Sequence, residues 1–462
     1  MSDYRIEEDT LGPVKIPVKA LWGPQTERSR HNFITGPIMP TSVIRALLAI
    51  KSAAAKVNLN LGVLDKDKAE LIQESVASIL KLDDPELMND FPLHVYQTGS
   101  GTQTNMNVNE VISNVAMRID KKIEILPNDD VNHSQSSNDV FPTAMNIAAV
   151  EAVEKMLPVV ESIISELEIK QDKYWDVVKI GRTHLQDATP LTFGQEISGW
   201  ISILEHDRDY LKTISDTLLE LPIGGTAVGT GLNAPEGFDE KIVSELSDKF
   251  QQEFVVGNKF YGLSAHSGLV ITHSAIKTLA GDLLKIANDI RFLASGPRAG
   301  YDELNIPANE PGSSIMPGKV NPTQAEALTM AAVKVMGNDV TVSTAASQGN
   351  FEMNVYKPVI IETFLESCDV LTGTLEMFTE KLIKGLTVNQ GRMTELVDNS
   401  LMTVTALSPH IGYHKAAEIA QLADKENSTL KAAAMKLGYL SEEDFDKYLV
   451  PINMTNINKQ KD

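Results

Sequence analysis

The run Gly312-Ser313-Ser314-Ile315-Met316-Pro317-Gly318-Lys319-Val320-Asn321-Pro322-Thr323 concentrates more chemistry than any other part of this chain. Two serine hydroxyls, one positive charge and one amide stand close together, with a glycine directly after a proline. A long apolar-periodic segment follows at once. Hydroxyls, backbone N–H groups and one lysine suit an anion, and the start of the following helix favours negative charge. The run reads as a lid that handles a carboxylate.

Three more polar islands interrupt an otherwise helical chain. Thr98-Gly99-Ser100-Gly101-Thr102-Gln103-Thr104-Asn105 crowds hydroxyls, amides and glycines ahead of a helix. Such neutral donors suit an oxyanion, and they equally suit a simple N-cap. Pro127 to Asp139 ends at the next long helix, where Ser136, Ser137 and Asn138 can present donors. Capping accounts for one of those residues but not for the whole polar run. Gly181-Arg182-Thr183-His184-Leu185-Gln186 sets a histidine beside a threonine, an arginine and an amide. A single histidine is commonly structural. Glu326, about two helical turns beyond Lys319, is a carboxylate able to orient and charge one in acid–base work.

Long helices must carry these islands. Ile276, Leu279, Leu283, Ile286, Ile290 and Leu293 recur at alternating spacings of three and four, a heptad seam. Similar periodicity covers 197–218, 325–342 and 360–382, with Asp339 interrupting the second of these. The stretch 142–170 is helical in pattern, with a kink expected at Pro158. Earlier, 41–62 and 66–82 read as helices, and prolines 13, 17, 24, 37 and 40 break up the start. The expected division is 1–135, mixed and mostly helical; 136–390, a long-helix bundle; and 391–462, a small helical tail. Periodicity leaves open whether the bundle stands alone or packs against copies of itself.

Bulk properties narrow the class. The chain has 462 residues, 62 acids against 41 bases and a formal charge of −21. A surface that acidic disfavours nucleic acid and anionic membranes. No apolar run reaches the roughly 18–20 residues of a membrane span. The start, Met1 to Glu8, is charged and lacks a signal-peptide apolar region. The one cysteine, Cys368, lies in an apolar run and reads as a buried thiol. A cytoplasmic protein is expected.

The four islands, in this order and spacing, resemble the aspartase/fumarase superfamily in its class II fumarase form. Gly318 and Thr323-Gln324 carry the fumarase character of the last run, and Gly101 to Asn107 and Ser136 to Asp139 agree with it. The likeness runs from about Gly12 to Gly412. It implies a mainly α, three-domain subunit and a homotetramer with a 20-helix core, each active site shared by three subunits. It implies reversible hydration of fumarate to L-malate, a tricarboxylic acid cycle step, with no metal or organic cofactor.

By this resemblance Ser313 takes the carbon-bound proton, while His184 with Glu326 handles the water. Lys319 and Asn321 stabilise the aci-carboxylate. Ser100, Gly101, Thr102, Thr183, Ser136, Ser137 and Asn138 hold the substrate carboxylates, and Ser314 and Val320 bind through their backbone. A second carboxylate site is implied at Leu126, Pro127, Asn128 and Asp129, where many relatives carry histidine in place of Leu126. The alternatives are an aspartase-like lyase or a hydratase of a methylated fumarate.

Overall fold

The computed structural model describes residues 4–457, so Met1–Asp3 and residues 458–462 lie outside it. The chain is mainly α. Five long helices dominate: Ser137–Lys173, Phe193–Ser215, Ser267–Leu293, Thr323–Ala346 and Lys357–Phe378. Two compact units contain one stretch of each. The first comprises 1–157, 209–280 and 333–372; the second comprises 158–208, 281–332 and 373–462.

The periodic residues are those that the helices bury. Ile276, Leu279, Leu283, Ile286 and Ile290 are fully buried, as are Leu328, Val335, Phe364, Leu371 and Leu375. Each contributes about 1.5–3 kcal/mol over exposure, far more than the few tenths by which helix propensities differ among such residues. Packing therefore holds these helices. Pro158 lies within the first of them without ending it. Cys368 is buried, and burial pushes its thiol pKa up, as for an inert core residue.

In the first unit, Tyr4–Asp9 and Gly12–Pro17 form an antiparallel hairpin that pairs Tyr4 with Pro17 and Glu8 with Pro13. The prolines expected only to break structure thus sit inside a strand. A two-stranded hairpin has free edges, and there a residue without an N–H costs no ladder bond. Behind the hairpin, buried Glu110 accepts the N–H groups of Gly23, Gln25 and Thr26, at 2.9, 2.8 and 3.1 Å. This carboxylate satisfies the free donors at the start of helix Pro24–Asn32. Helix Thr41–Asn60 buries Val43, Ile44, Leu47, Leu48 and Ile50, and with them the whole side chain of Lys51.

In the second unit, strands Val178–Thr183 and Gln186–Thr192 form a hairpin. Buried Glu303 pairs with Lys179 and Arg182 along the first strand. The short helices after residue 390 enclose their own core, including Leu407, Ile419, Ala434 and Phe445. Among the described residues no helix is long and apolar enough to cross a membrane.

Candidate active site

The 312–321 loop belongs to the second unit and folds back on itself. The Gly312 N–H donates to the Lys319 carbonyl at 2.8 Å, and the Asn321 amide donates to the Gly312 carbonyl at 2.6 Å. A side chain at Gly312 would stand 2.5 Å from that Lys319 oxygen, so only glycine fits. Gly318 makes the return turn at φ +80°. Inside the loop, Ser313 Oγ accepts two backbone N–H groups, from Ile315 at 3.2 Å and Met316 at 3.0 Å. Two donors on one hydroxyl oxygen favour its ionised form.

Lys319, Val320, Asn321 and Glu326 line a cleft of about 650 Å³ together with Asn288, Arg291 and Asn305. Lys319 and Ser314 are exposed, and Glu326 is half-buried at the start of helix Thr323–Ala346. Among the described residues Lys319 has no carboxylate partner. The lysine therefore stays available to an anion that enters the cleft.

His184 occupies the tip of the second unit's hairpin. The two turn residues, His184 and Leu185, have φ of 58° and 61°. Positive φ at both positions is the two-residue turn that matches strand twist, normally filled by Asn-Gly. A histidine and a leucine there carry local strain of about 1–3 kcal/mol each, the kind retained where a side chain must project. Thr183, His184 and Leu185 are exposed. Arg182 is not free for an anion, being paired with Glu303 and stacked on Tyr301 at 4.3 Å. Among the described residues no hydrogen bond or ion pair joins His184 to Glu326.

The first unit brings the other two islands together. Gly101, at φ 77°, starts helix Thr102–Ile119, and Ser100 Oγ lies 2.8 Å from Thr102 Oγ1. From this helix Asn105 donates to Ser137 Oγ at 3.0 Å. Ser136, Ser137 and Asn138 lead into helix Ser137–Lys173. Their turn is held by fully buried Asp139, which accepts N–H groups from Ser136, Gly224 and Thr226 at 2.9–3.0 Å. Asn138 itself donates to the Ala227 carbonyl at 2.8 Å.

Sequence reasoning missed what lies beneath. Lys51 Nζ donates to Asn132 Oδ1 and Gln135 Oε1, both at 2.9 Å. Burial lowers its pKa to about 7 and raises that of Asp139, while each charge partly offsets the other's shift. The available signal was a lysine in the apolar run Leu47 to Val57. A hydroxyl–imidazole–carboxylate series also escaped notice. Ser367 Oγ is 2.8 Å from His273 Nε2, and His273 Nδ1 is 3.0 Å from Asp339. Ser367 and His273 are fully buried, so the series explains the seam's interruption at Asp339 rather than a reaction.

The implied second carboxylate site is poorly furnished. Leu126 gives its backbone N–H to Asp130 at 2.7 Å, so the residue keeps no donor. Pro127 and Asn128 line a cleft of about 440 Å³ with Glu8, Asp9 and Glu110. The cleft's arginine, Arg28, is paired with Asp9 at 2.8 Å.

Comparison with known proteins places this chain in a class and then in a family. The Lyase family matches residues 12–337, and the Fumarase C C-terminus family matches 404–456. The fumarate hydratase class II of Listeria monocytogenes serovar 1/2a is 55% identical over 98% of this chain and 100% of the relative. That of Bacillus subtilis strain 168 is 52% identical over 98% of this chain and 99% of the relative. The crystal structure of recombinant class II fumarase from Schistosoma mansoni superposes with a TM-score of 0.93 at 41% identity, covering 98% of this chain and 99% of the other. A helical lyase is thus the class. Within it, the chain belongs to the class II fumarate hydratase family of hydro-lyases.

Proposed function

We propose that this chain catalyses the reversible hydration of fumarate to L-malate, by anti addition and elimination through an aci-carboxylate intermediate. The observation that carries the reading is the pair of N–H groups on Ser313 Oγ, in the same loop as Lys319, which among the described residues has no carboxylate partner. The proton to be removed from malate is only weakly acidic, and its loss builds a second negative charge on the adjacent carboxylate. Ser313, as an oxyanion held by its loop, takes that proton. Lys319 and the loop N–H groups meet the charge as it develops, each donor contributing on the order of 3–4 kcal/mol. Asn321 joins Lys319 in stabilising the dianion, with Ser314 and Val320 contributing backbone contacts.

His184, charged by Glu326, gives a proton to the leaving hydroxyl, or takes one from water in the reverse direction. Ser100, Gly101, Thr102, Thr183, Ser136, Ser137 and Asn138 hold the carboxylates. In our reading these pieces meet in a homotetramer with a 20-helix core, each site drawing on three subunits of three domains each (1–135, 136–390 and 391–462). Helix Thr323–Ala346 supports assembly. Met330, Val333 and Val340 are each more than 60% exposed and fall with Gly337 on one helical face. An apolar stripe of that spacing suits another helix. The reading includes a cytoplasmic enzyme of the tricarboxylic acid cycle.

The test is ultraviolet absorbance of fumarate formed from L-malate, beside ammonia release from L-aspartate. Fumarate without ammonia supports the reading. Ammonia from aspartate would make the chain an aspartase-like lyase instead.

A further inference from the structure

We infer that Lys51, which never reaches the substrate, is a positioning residue that sets the direction in which Ser137 donates its proton. The inference rests on the proposed role of Ser137 in holding a substrate carboxylate. A lysine side chain buried among amides donates through its N–H bonds, so the amides facing it must turn their carbonyl oxygens inward. Asn132 and Gln135 do so, and their NH2 groups point away to backbone carbonyls. Asn132 donates to the Gln135 carbonyl at 3.2 Å, and Gln135 donates to the Val131 and His133 carbonyls at 3.2 and 3.0 Å.

The fixed Asn132 oxygen then orients the next layer. It accepts the NH2 of Asn105 at 3.1 Å and of Asn109 at 3.2 Å. Asn105 is thereby locked with its NH2 towards Ser137 Oγ. Among the described residues its own carbonyl oxygen is buried without a partner. An amide left to itself would avoid that cost, so its orientation is imposed from the Lys51 side. Ser137 Oγ, already an acceptor, must direct its O–H elsewhere. Among the described residues no acceptor receives it. The hydroxyl is thus left to donate to an incoming carboxylate, where a charge-assisted bond is worth most. Reversing any one link would let Ser137 donate inward and present only lone pairs to the anion.

The test is a double-mutant cycle on the full assembled protein with L-malate as substrate. Lys51→Met keeps volume while removing the donor, and Ser137→Ala removes the hydroxyl. Each single variant is expected to raise KM about tenfold, with kcat changed far less and subunit assembly intact. In the Ser137→Ala background, Lys51→Met should add less than about twofold. Asn105→Ala, which leaves Lys51 in place, should reproduce both results and serves if Lys51→Met does not fold. Multiplying effects, or an unchanged KM in either Lys51→Met or Asn105→Ala, would overturn the relay while leaving the site reading intact. An unchanged KM in Ser137→Ala alone would overturn the role of Ser137 and the relay together.

Discussion

In the proposed reaction Ser313 and His184 transfer the protons, and their surroundings differ. Ser313 has two backbone donors on its oxygen, which favour the ionised form that the proposed role requires. His184 stands exposed at the tip of a strained turn, and in the proposed mechanism Glu326 is its carboxylate. Ser313→Ala and His184→Asn should each lower kcat at least about a hundredfold with assembly unchanged. A rate within a few-fold of the parent in either would remove that residue from the chemistry. Asn128→Ala should leave kcat/KM for malate within about twofold, because the arginine of that cleft, Arg28, is already paired with Asp9; a large loss would show that the second site feeds the first. Ser313, Lys319 and Asn321 could be proposed from the sequence because they stand in one run with their loop; His184, in a separate island, needed the family resemblance. Lys51 could not be, because its partners lie more than 80 residues away in sequence and a lone lysine in a helix usually reads as solvated.

Elements decide whether those residues keep their geometry. The 312–321 loop depends on the close approach at Gly312, where a methyl group would strike the Lys319 carbonyl. Gly312→Ala should therefore cut kcat/KM by tenfold or more while the melting temperature, which reports the helical core, stays within about 2 °C. Equal losses in both would mean that the loop is part of the core.

A second element-scale prediction concerns helices Phe193–Ser215 and Ser267–Leu293. Burial and the neighbouring Asp282 carboxyl push the pKa of Asp207 up to about 7. An unfolded aspartate ionises near pH 4, so between pH 4 and 7 the folded protein binds the extra proton. Stability from this group is full below the unfolded value and is lost as pH rises through about 7. The melting temperature of Asp207→Asn should gain on the parent steadily from pH 5 to 7.5. A gap independent of pH would show that Asp207 does not hold that proton.

The long helices were legible at this scale, since a heptad of apolar residues has few other uses. The hairpins were not. Gly181 and Pro190 break the alternation in one, and in the other Pro13 and Pro17 sit at positions that only a free sheet edge permits.

At the scale of the whole molecule, the acidic surface sets a problem that the loops solve. A charge of −21 repels a dianion, so local donors must overcome the general field. They are found in pieces: a hairpin tip, a lysine loop and a cradle of hydroxyls and amides. Our central claim is that these pieces become one hydration site only when copies of the chain assemble, through faces such as Met330, Val333 and Val340. The measurement that tests it most directly uses hybrids of two inactive proteins. Ser313→Ala and His184→Asn are dissociated, mixed in equal amounts and reassembled, and fumarate formation from malate is followed. If different subunits supply the two residues, random mixing leaves roughly one site in four with both intact, and activity should return to about a quarter of the parent's. No activity above that of the separate variants, in a reassembled mixture of proven hybrid composition, would contradict the account.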